Sequence, residues 1–274
     1  MPEIAPSAVE VTALLASAGL LCASVAASVT RLWRAAAAVC GWGGVALGVL
    51  VLLIHASSRD AWMPLEDNFG ALAALGLMLA GCVLYVQQTR PVGGLDWFIL
   101  PVAALMLVGA AIFGATMPRQ YGETAWAVMH RLTAYGGALA LAVAGAVGAM
   151  YLVASRRLRS KQMSAGTTMG NLERLESIGY LALVLGWSLF TIGLVTGLIW
   201  GIHRTQHGAD EQREFFGPKV LLAVGVWIVY ALALHTPINP SFRGRKAAVL
   251  SLIGLVLMAG TLVAVQFMPG GGGH

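Results

Sequence analysis

The chain has 274 residues, of which 58% are hydrophobic and 11% charged, with a mean hydropathy of +0.78 and a formal net charge of +5. A soluble domain carries roughly 25% charged residues, so this composition excludes an ordinary globular protein and indicates an integral membrane protein. The basic residues are scattered among the predicted loops instead of forming one stripe, which argues against nucleic-acid binding.

Eight apolar stretches are each long enough to form a helix that crosses the bilayer, which takes about 20 apolar residues. Because backbone groups in lipid must be satisfied within their own segment, we predict an all-α polytopic bundle. We expect one transmembrane domain, residues 1–274, with a polar hinge from Ser155 to Ser177 and a retained first helix, because no Lys or Arg precedes it. The predicted spans are Val9–Val29, Ala35–Ile54, Phe69–Val86, Trp97–Thr116, Ala125–Ala154, Ile178–Ile202, Val220–Leu234 and Ala247–Met268.

The distribution of basic residues gives these spans a direction. The loops that follow odd-numbered spans carry most of the 17 Lys and Arg residues but few of the 12 Asp and Glu residues. By the positive-inside rule these loops are cytoplasmic, where they also meet anionic lipid headgroups, and both termini face outward. The basic residues on this side are Arg31, Arg34, Arg90, Arg156, Arg157, Arg159, Lys161, Arg174, Arg243, Arg245 and Lys246.

The six histidines each acquire a depth from this orientation. His55, His130 and His274 are predicted at the outer face, whereas His235 ends the seventh span on the cytoplasmic side. Neutral imidazole is a good ligand for iron or zinc, and ionisable groups within spans are candidates for function. A histidine at a helix end can equally sit in the headgroup layer, so position alone leaves both interpretations open.

Other patterns have a simple packing explanation beside a functional one. His203 and His207, predicted in an outer loop, have the i, i+4 spacing of a metal pair but lack a third ligand. Gly193–Gly197 suits close helix packing in lipid. Trp187 and Trp227 lie deep in their spans, where they could contact a flat cofactor or pack between helices.

The C-terminal half resembles a known family. The segment Leu181–Trp200, LALVLGWSLFTIGLVTGLIW, is similar to the helix before the haem-handling loop of the CcsA/ResC-type cytochrome c assembly proteins. Pro218 and Lys219 stand where that family has a PK pair, Trp227 matches a helix tryptophan, and His235 matches the histidine at the helix end. The resemblance is best over residues 125–274.

The resemblance implies a set of haem contacts. His130, in MHRLTAYGG, corresponds to the first external haem-ligand histidine, and His274, after a glycine run, corresponds to the second. His235 corresponds to the histidine of an inner haem site. His55, followed by Pro64–Phe69, resembles an early His-containing motif with a longer spacing. The implied cofactor is haem b, as ligand or as cargo.

The chain departs from the family in the Trp-rich loop. Where the family has three tryptophans and an acidic residue, this sequence has Asp210, Glu214, Phe216 and Gly217 before Pro218–Lys219. Phe216, Pro218 and Lys219 are the residues of this loop expected to contact haem. The chain is also short, as in the HemX-like branch of the superfamily.

Two hypotheses follow from the resemblance. In the first, the chain is a haem-handling protein of the cell inner (plasma) membrane in cytochrome c maturation, working with a CcsB/ResB-like subunit and an apocytochrome c. In the second, it is a HemX-like regulatory or scaffolding subunit linked to tetrapyrrole synthesis or complex assembly. A small-solute or ion transporter is disfavoured, because the predicted spans contain almost no buried acids and no clear pair of broken helices in matching positions. Enzymatic activity is left open.

Overall fold

Every predicted span is a helix in the computed structural model of the chain. The structure describes residues 5–29, 34–58, 67–89, 94–116, 125–160, 172–205, 218–235 and 244–267. The helices are α1 Ala8–Val29, α2 Arg34–Ser58, α3 Asn68–Thr89, α4 Leu95–Thr116, α5 Ala125–Arg159, α6 Leu172–Thr205, α7 Pro218–Leu234 and α8 Arg245–Phe267. The described ranges contain no extended sheet, and the all-α prediction is confirmed.

The helices are as long and as apolar as a bilayer requires. Seven of those described are long and apolar enough to cross a membrane, and the apolar part of α7, Val220–Leu234, is shorter. A helix of 22 residues such as α1 or α3 is about 33 Å long, against a hydrocarbon core of about 30 Å. The chain is therefore a multi-pass membrane protein. Its orientation stays a prediction.

The predicted hinge between the fifth and sixth spans is wrong at both ends. Helix α5 continues through Ser155 to Arg159, and α6 already begins at Leu172. The charged residues at these ends are good helix formers, and at 35 residues α5 is about 52 Å long, so polar turns can extend beyond the hydrocarbon layer. For the same reason His203, predicted in a loop, falls within α6, while His207 lies outside the described residues.

The helices form two compact units, α1–α4 and α5–α8. In the first unit α1 packs on α2 and α4, and α3 packs on the same two helices. The second unit repeats this cyclic pattern with α5, α6, α7 and α8. In each unit a glycine with positive φ, Gly94 or Gly244, directly precedes the fourth helix. The prediction of a single domain stays a prediction.

Small residues and short hydrogen bonds hold the helices of the first unit together. The Ser17 hydroxyl on α1 donates to the Gly44 carbonyl on α2 over 2.7 Å, and Ser24 donates to the Ala37 carbonyl over the same distance. A Cβ on Gly44 would come within 3.0 Å of the Ser17 carbonyl oxygen. Close approach of backbones, allowed by glycine, is how helices gain packing energy in lipid.

The second unit has a core that joins α5, α6, α7 and α8. Tyr230 of α7 is fully buried, and its hydroxyl donates to the Leu141 carbonyl of α5 over 3.2 Å. Gly254 of α8 leaves room for the Tyr230 ring, since a Cβ there would lie 2.5 Å from the ring. Around Tyr230 the buried apolar side chains include Phe190, Val226 and others of these helices.

Candidate functional site

His130 lies in the second turn of α5 and faces α6. Its Nδ1 is 2.7 Å from the Gly193 carbonyl oxygen. Because a carbonyl oxygen can only accept, the hydrogen of this bond belongs to Nδ1, and Nε2 carries the lone pair. Metal-binding histidines are held in the same way, with one ring nitrogen donating to a backbone carbonyl and the other facing the metal. The neighbouring helix therefore fixes His130 in a ligand-competent tautomer.

His235 shows the same chemistry at the end of α7. Its Nδ1 lies 2.7 Å from the Ala231 carbonyl oxygen, one turn earlier on the same helix, and the side chain is exposed. The Nε2 lone pair of His235 is therefore also available to a metal. Unlike His130, the ring is held by its own helix and not by a neighbour.

His130 and His235 lie at opposite ends of the second unit. The Tyr230 hydroxyl bonds the Leu141 carbonyl, so these two residues lie at about the same height along the helices. His130 lies about eleven residues before Leu141 on α5, and His235 about five residues after Tyr230 on α7. At about 1.5 Å per residue the two histidines are roughly 24 Å apart along the helices, which is too far for both to bind one iron.

His55 lies in the last turn of α2 and differs from both, because each of its nitrogens meets a carboxylate. Nδ1 is 3.0 Å from Glu10 Oε1, and Nε2 is 3.1 Å from Asp67 Oδ2. His55, Glu10 and Asp67 are 4%, 8% and 7% exposed. Ionised carboxylates only accept hydrogen bonds, so when both carboxylates are ionised the ring that satisfies them is an imidazolium that donates from each nitrogen. In this arrangement His55 has no nitrogen available for iron, and its role at haem stays a prediction.

The local sequence explains how the His55 cluster, Glu10–His55–Asp67, is assembled. Ser7 and Glu10 form a capping box at the start of α1: the Ser7 backbone N–H donates to Glu10 Oε2, and Glu10 N–H donates to Ser7 Oγ. Asp67 caps α3 by accepting from the Gly70 N–H over 3.2 Å. Each carboxylate therefore lies at a helix N-terminus and the imidazolium at a C-terminus, where the helix dipoles favour these charges.

Sequence reasoning missed the two carboxylates of the His55 cluster. The pattern Ser7-x-x-Glu10 is a signal for a capping box and could have placed Glu10 at a helix start. Its pairing with a histidine 45 residues away had no signal in one sequence. The cluster does not converge on one point, since the carboxylates bind opposite sides of the ring. Among the described residues no group of three or more His, Cys, Asp or Glu could hold a metal ion.

Trp227 takes part in helix packing. Its ring lies 5.3 Å from that of Trp187, centroid to centroid, with 30° between the planes, and its Nε1 donates to Thr191 Oγ1 over 2.9 Å. Helix α7 begins at Pro218, where the fixed φ of proline suits a first turn. The side chains of Pro218 and Lys219 are not among those described, and Phe216 and His274 lie outside the described residues.

Comparison with known proteins gives the family. The family described as Cytochrome C assembly protein matches residues 45–270, which cover all helices from the second half of α2 onwards. The chain belongs to this family. Assembly of a c-type cytochrome joins haem to an apoprotein, so this cytochrome c assembly protein has a role in cytochrome c biogenesis and in the handling of haem.

Several curated relatives share that role by name. A cytochrome c biogenesis protein CcsA of Prochlorococcus marinus is 22% identical over 251 residues, which cover 80% of this chain and 77% of the relative. CcsA of a Synechococcus species is 26% identical over 242 residues, covering 77% of each. CcsA of Parasynechococcus marenigrum is 26% identical over 179 residues, and there the match spans 63% of this chain and about half, 53%, of the relative. No solved structure gives a significant match.

Proposed function

We propose that this chain is an inner-membrane protein of cytochrome c maturation that holds haem at an outer site and passes it there from an inner site. His130 would supply a nitrogen to the haem iron at the outer site, and His235 would supply one at the inner site. The observation that carries the proposal is the bond from His130 Nδ1 to the Gly193 carbonyl, which leaves Nε2 as the coordinating atom.

His274 would supply the second imidazole of the outer site in this proposal. It follows the glycines at 270–273 and belongs to the same predicted outer face as His130. Two neutral imidazoles would hold haem b through its iron, without a covalent bond to the porphyrin, and would influence its reduction potential. Asp210 and Glu214 replace two tryptophans of the family loop, whereas Phe216, at the third tryptophan position, still offers a flat apolar ring for contact with the porphyrin.

The inner site depends on a partner. His235 is exposed at the end of α7 and supplies one nitrogen. An exposed imidazole with a free Nε2 lone pair suits a ligand that is completed by a second chain, and a CcsB/ResB-like subunit is the partner we propose. Since the positive-inside rule assigns this end to the cytoplasm, newly made haem would enter here and an apocytochrome c would receive it outside.

A complementation experiment tests the function. Deletion of the gene should abolish covalently bound haem in membrane c-type cytochromes, measured by haem staining, and the wild-type gene should restore it. His130→Ala and His235→Ala should each fail to restore it. Thr133→Ala is a matched control on α5, because its hydroxyl bonds carbonyls of its own helix. Unchanged cytochromes after deletion would rule out the proposal.

The replaced tryptophans support a second candidate, a HemX-like regulatory or scaffolding subunit. Charge at Asp210 and Glu214 removes the flat apolar surface that haem presentation by this loop requires. In this case deletion alters the level of tetrapyrrole precursors or of an assembled complex, and His130→Ala and His274→Ala restore function as well as the wild type. His130→Ala thus separates the two candidates, because it fails to restore function in the first and restores it in the second.

A further inference from the structure

Glycines at the interface of α5 and α6 differ in what a methyl group would meet. A Cβ on Gly137 would lie 2.7 Å from the Phe190 backbone nitrogen, and one on Gly193 would lie 2.9 Å from the nitrogen and the Cα of Ala134. These contacts are with backbone, so a side chain at either position would push the two helices apart. Gly137 and Gly193 are therefore packing glycines, as expected in lipid.

Gly197, one turn further along α6, faces a side chain. The three atoms nearest to its ideal Cβ all belong to the His130 imidazole: Cε1 at 2.7 Å, Nδ1 at 3.0 Å and Nε2 at 3.5 Å. The missing side chain at Gly197 therefore makes room for the His130 ring. A methyl group there would compete with the imidazole, which can rotate away, and the helix backbones could stay where they are.

Thr196 acts on the hydrogen bond between His130 Nδ1 and the Gly193 carbonyl. It is 6% exposed, and its Oγ1 lies 2.8 Å from the Ile192 carbonyl oxygen and 3.0 Å from that of Gly193. The Gly193 oxygen thus accepts from the Thr196 hydroxyl as well as from His130 Nδ1. The Gly193 carbonyl has two lone pairs, and in an α-helix one of them accepts from the N–H four residues later. The Thr196 hydroxyl, whose single hydrogen is shared with the Ile192 carbonyl, therefore competes with the imidazole for the other lone pair and weakens its bond.

We propose that Gly197 and Thr196 are positioning residues that set the orientation and donor strength of His130. Together with the Gly193 carbonyl they form the His130 seat. Gly197 admits the ring, Gly193 fixes the tautomer, and Thr196 moderates the hydrogen bond. The role of the seat in haem binding rests on the proposed function, whereas the orientation of the imidazole is a property of the chain itself.

Haem titration is the first test. The full-length chain, purified in detergent, is titrated with ferric protoporphyrin IX, and the Kd and the Soret spectrum are recorded. We expect Gly197→Ala to bind about 10 to 100-fold more weakly, as partners of metal ligands usually do when changed, with a Tm close to that of the wild type. Gly136→Ala is the matched control, since its Cβ would make an ordinary 3.6 Å contact with Leu189.

The outcomes separate the two proposals. Wild-type affinity and spectrum in Gly197→Ala, with loss of binding in His130→Ala, overturn the seat and leave the haem function standing. Absence of binding by the wild type, or an unchanged spectrum in His130→Ala, overturns the outer haem site, and the seat is then judged by its haem-independent test.

That test measures the tautomer of His130 without haem. The ¹⁵N NMR spectrum of histidine-labelled protein, assigned by comparison with His130→Ala, should show a protonated Nδ1 in the wild type and a mixture of tautomers in Gly197→Ala. Thr196→Val, which keeps the shape of the side chain, should shift the Nδ1 signal towards a stronger hydrogen bond. If Gly197→Ala does not fold, the Nδ1 signal of Thr196→Val tests the proposal by itself. A His130 signal that neither variant moves would overturn the proposal.

Discussion

Replacing His55 by glutamine should destabilise the first unit strongly. The side chains of His55, Glu10 and Asp67 are each 10% exposed or less, and both carboxylates are paired with the same ring. Glutamine has a similar length but no charge, so His55→Gln leaves two buried carboxylates without their cation. Breaking a buried ion pair by removing one partner typically costs about 3–5 kcal/mol.

Thermal unfolding in detergent, followed by circular dichroism, measures the loss. By the usual relation of about 2–4 °C per kcal/mol for a chain of this size, the Tm should fall by about 6–20 °C. Ser57→Ala is the matched control on α2, because its hydroxyl is exposed and bonds only the Ile54 carbonyl of its own helix. Its Tm should stay within about 2 °C of the wild type, as for surface substitutions generally.

A second substitution tests the cause. In the His55→Gln background, Glu10→Gln removes one uncompensated carboxylate and should recover part of the lost stability, although the same change destabilises the wild type. The two costs should therefore not add, because the residues are in contact. Additive costs, or a His55→Gln variant within about 1 kcal/mol of the wild type, would show that His55 is not the cation of a buried cluster.

Three further predictions concern the second unit, each measured as a change in Tm. Tyr230→Phe removes the bond to the Leu141 carbonyl and should cost about 1 kcal/mol, and a gain in stability would contradict that bond. Gly137→Ala brings a methyl against the Phe190 backbone and should cost about 1–3 kcal/mol, whereas a neutral effect would disprove the close contact. Trp227→Phe loses the bond to Thr191 and part of the stack on Trp187, so about 1–2 kcal/mol is expected. A Trp227 variant that keeps its stability but changes haem binding would instead indicate a role at a cofactor.

The sequence predicted the helices well, because a bilayer imposes one simple rule. Each span needs about 20 apolar residues, and a run of that length has one possible structure in lipid. The rule fails at helix ends outside the hydrocarbon layer, where Ser155–Arg159 and Leu172–Ser177 are polar but helical. Polarity there reports the depth of a residue and not the end of its helix.

The side-chain contacts of the candidate residues could be predicted much less well. The pattern around His130 gave its place on α5, but its bond to the Gly193 carbonyl joins residues 63 positions apart. In the same way, His55 was predicted from the sequence to contact haem. In the structure it is paired with two carboxylates, one on α1 and one at the start of α3. Such pairings depend on how helices pack, which the hydrophobic pattern does not encode.

The absorption spectrum of the purified protein shows whether His130 binds haem. With ferric protoporphyrin IX added and then reduced, the wild type should give the Soret and visible bands of a six-coordinate low-spin haem. His130→Ala should lose them, whereas Thr133→Ala should keep them. A wild-type spectrum that is indistinguishable from haem in detergent alone, or a His130→Ala spectrum that equals the wild type, would contradict an outer haem site built on His130.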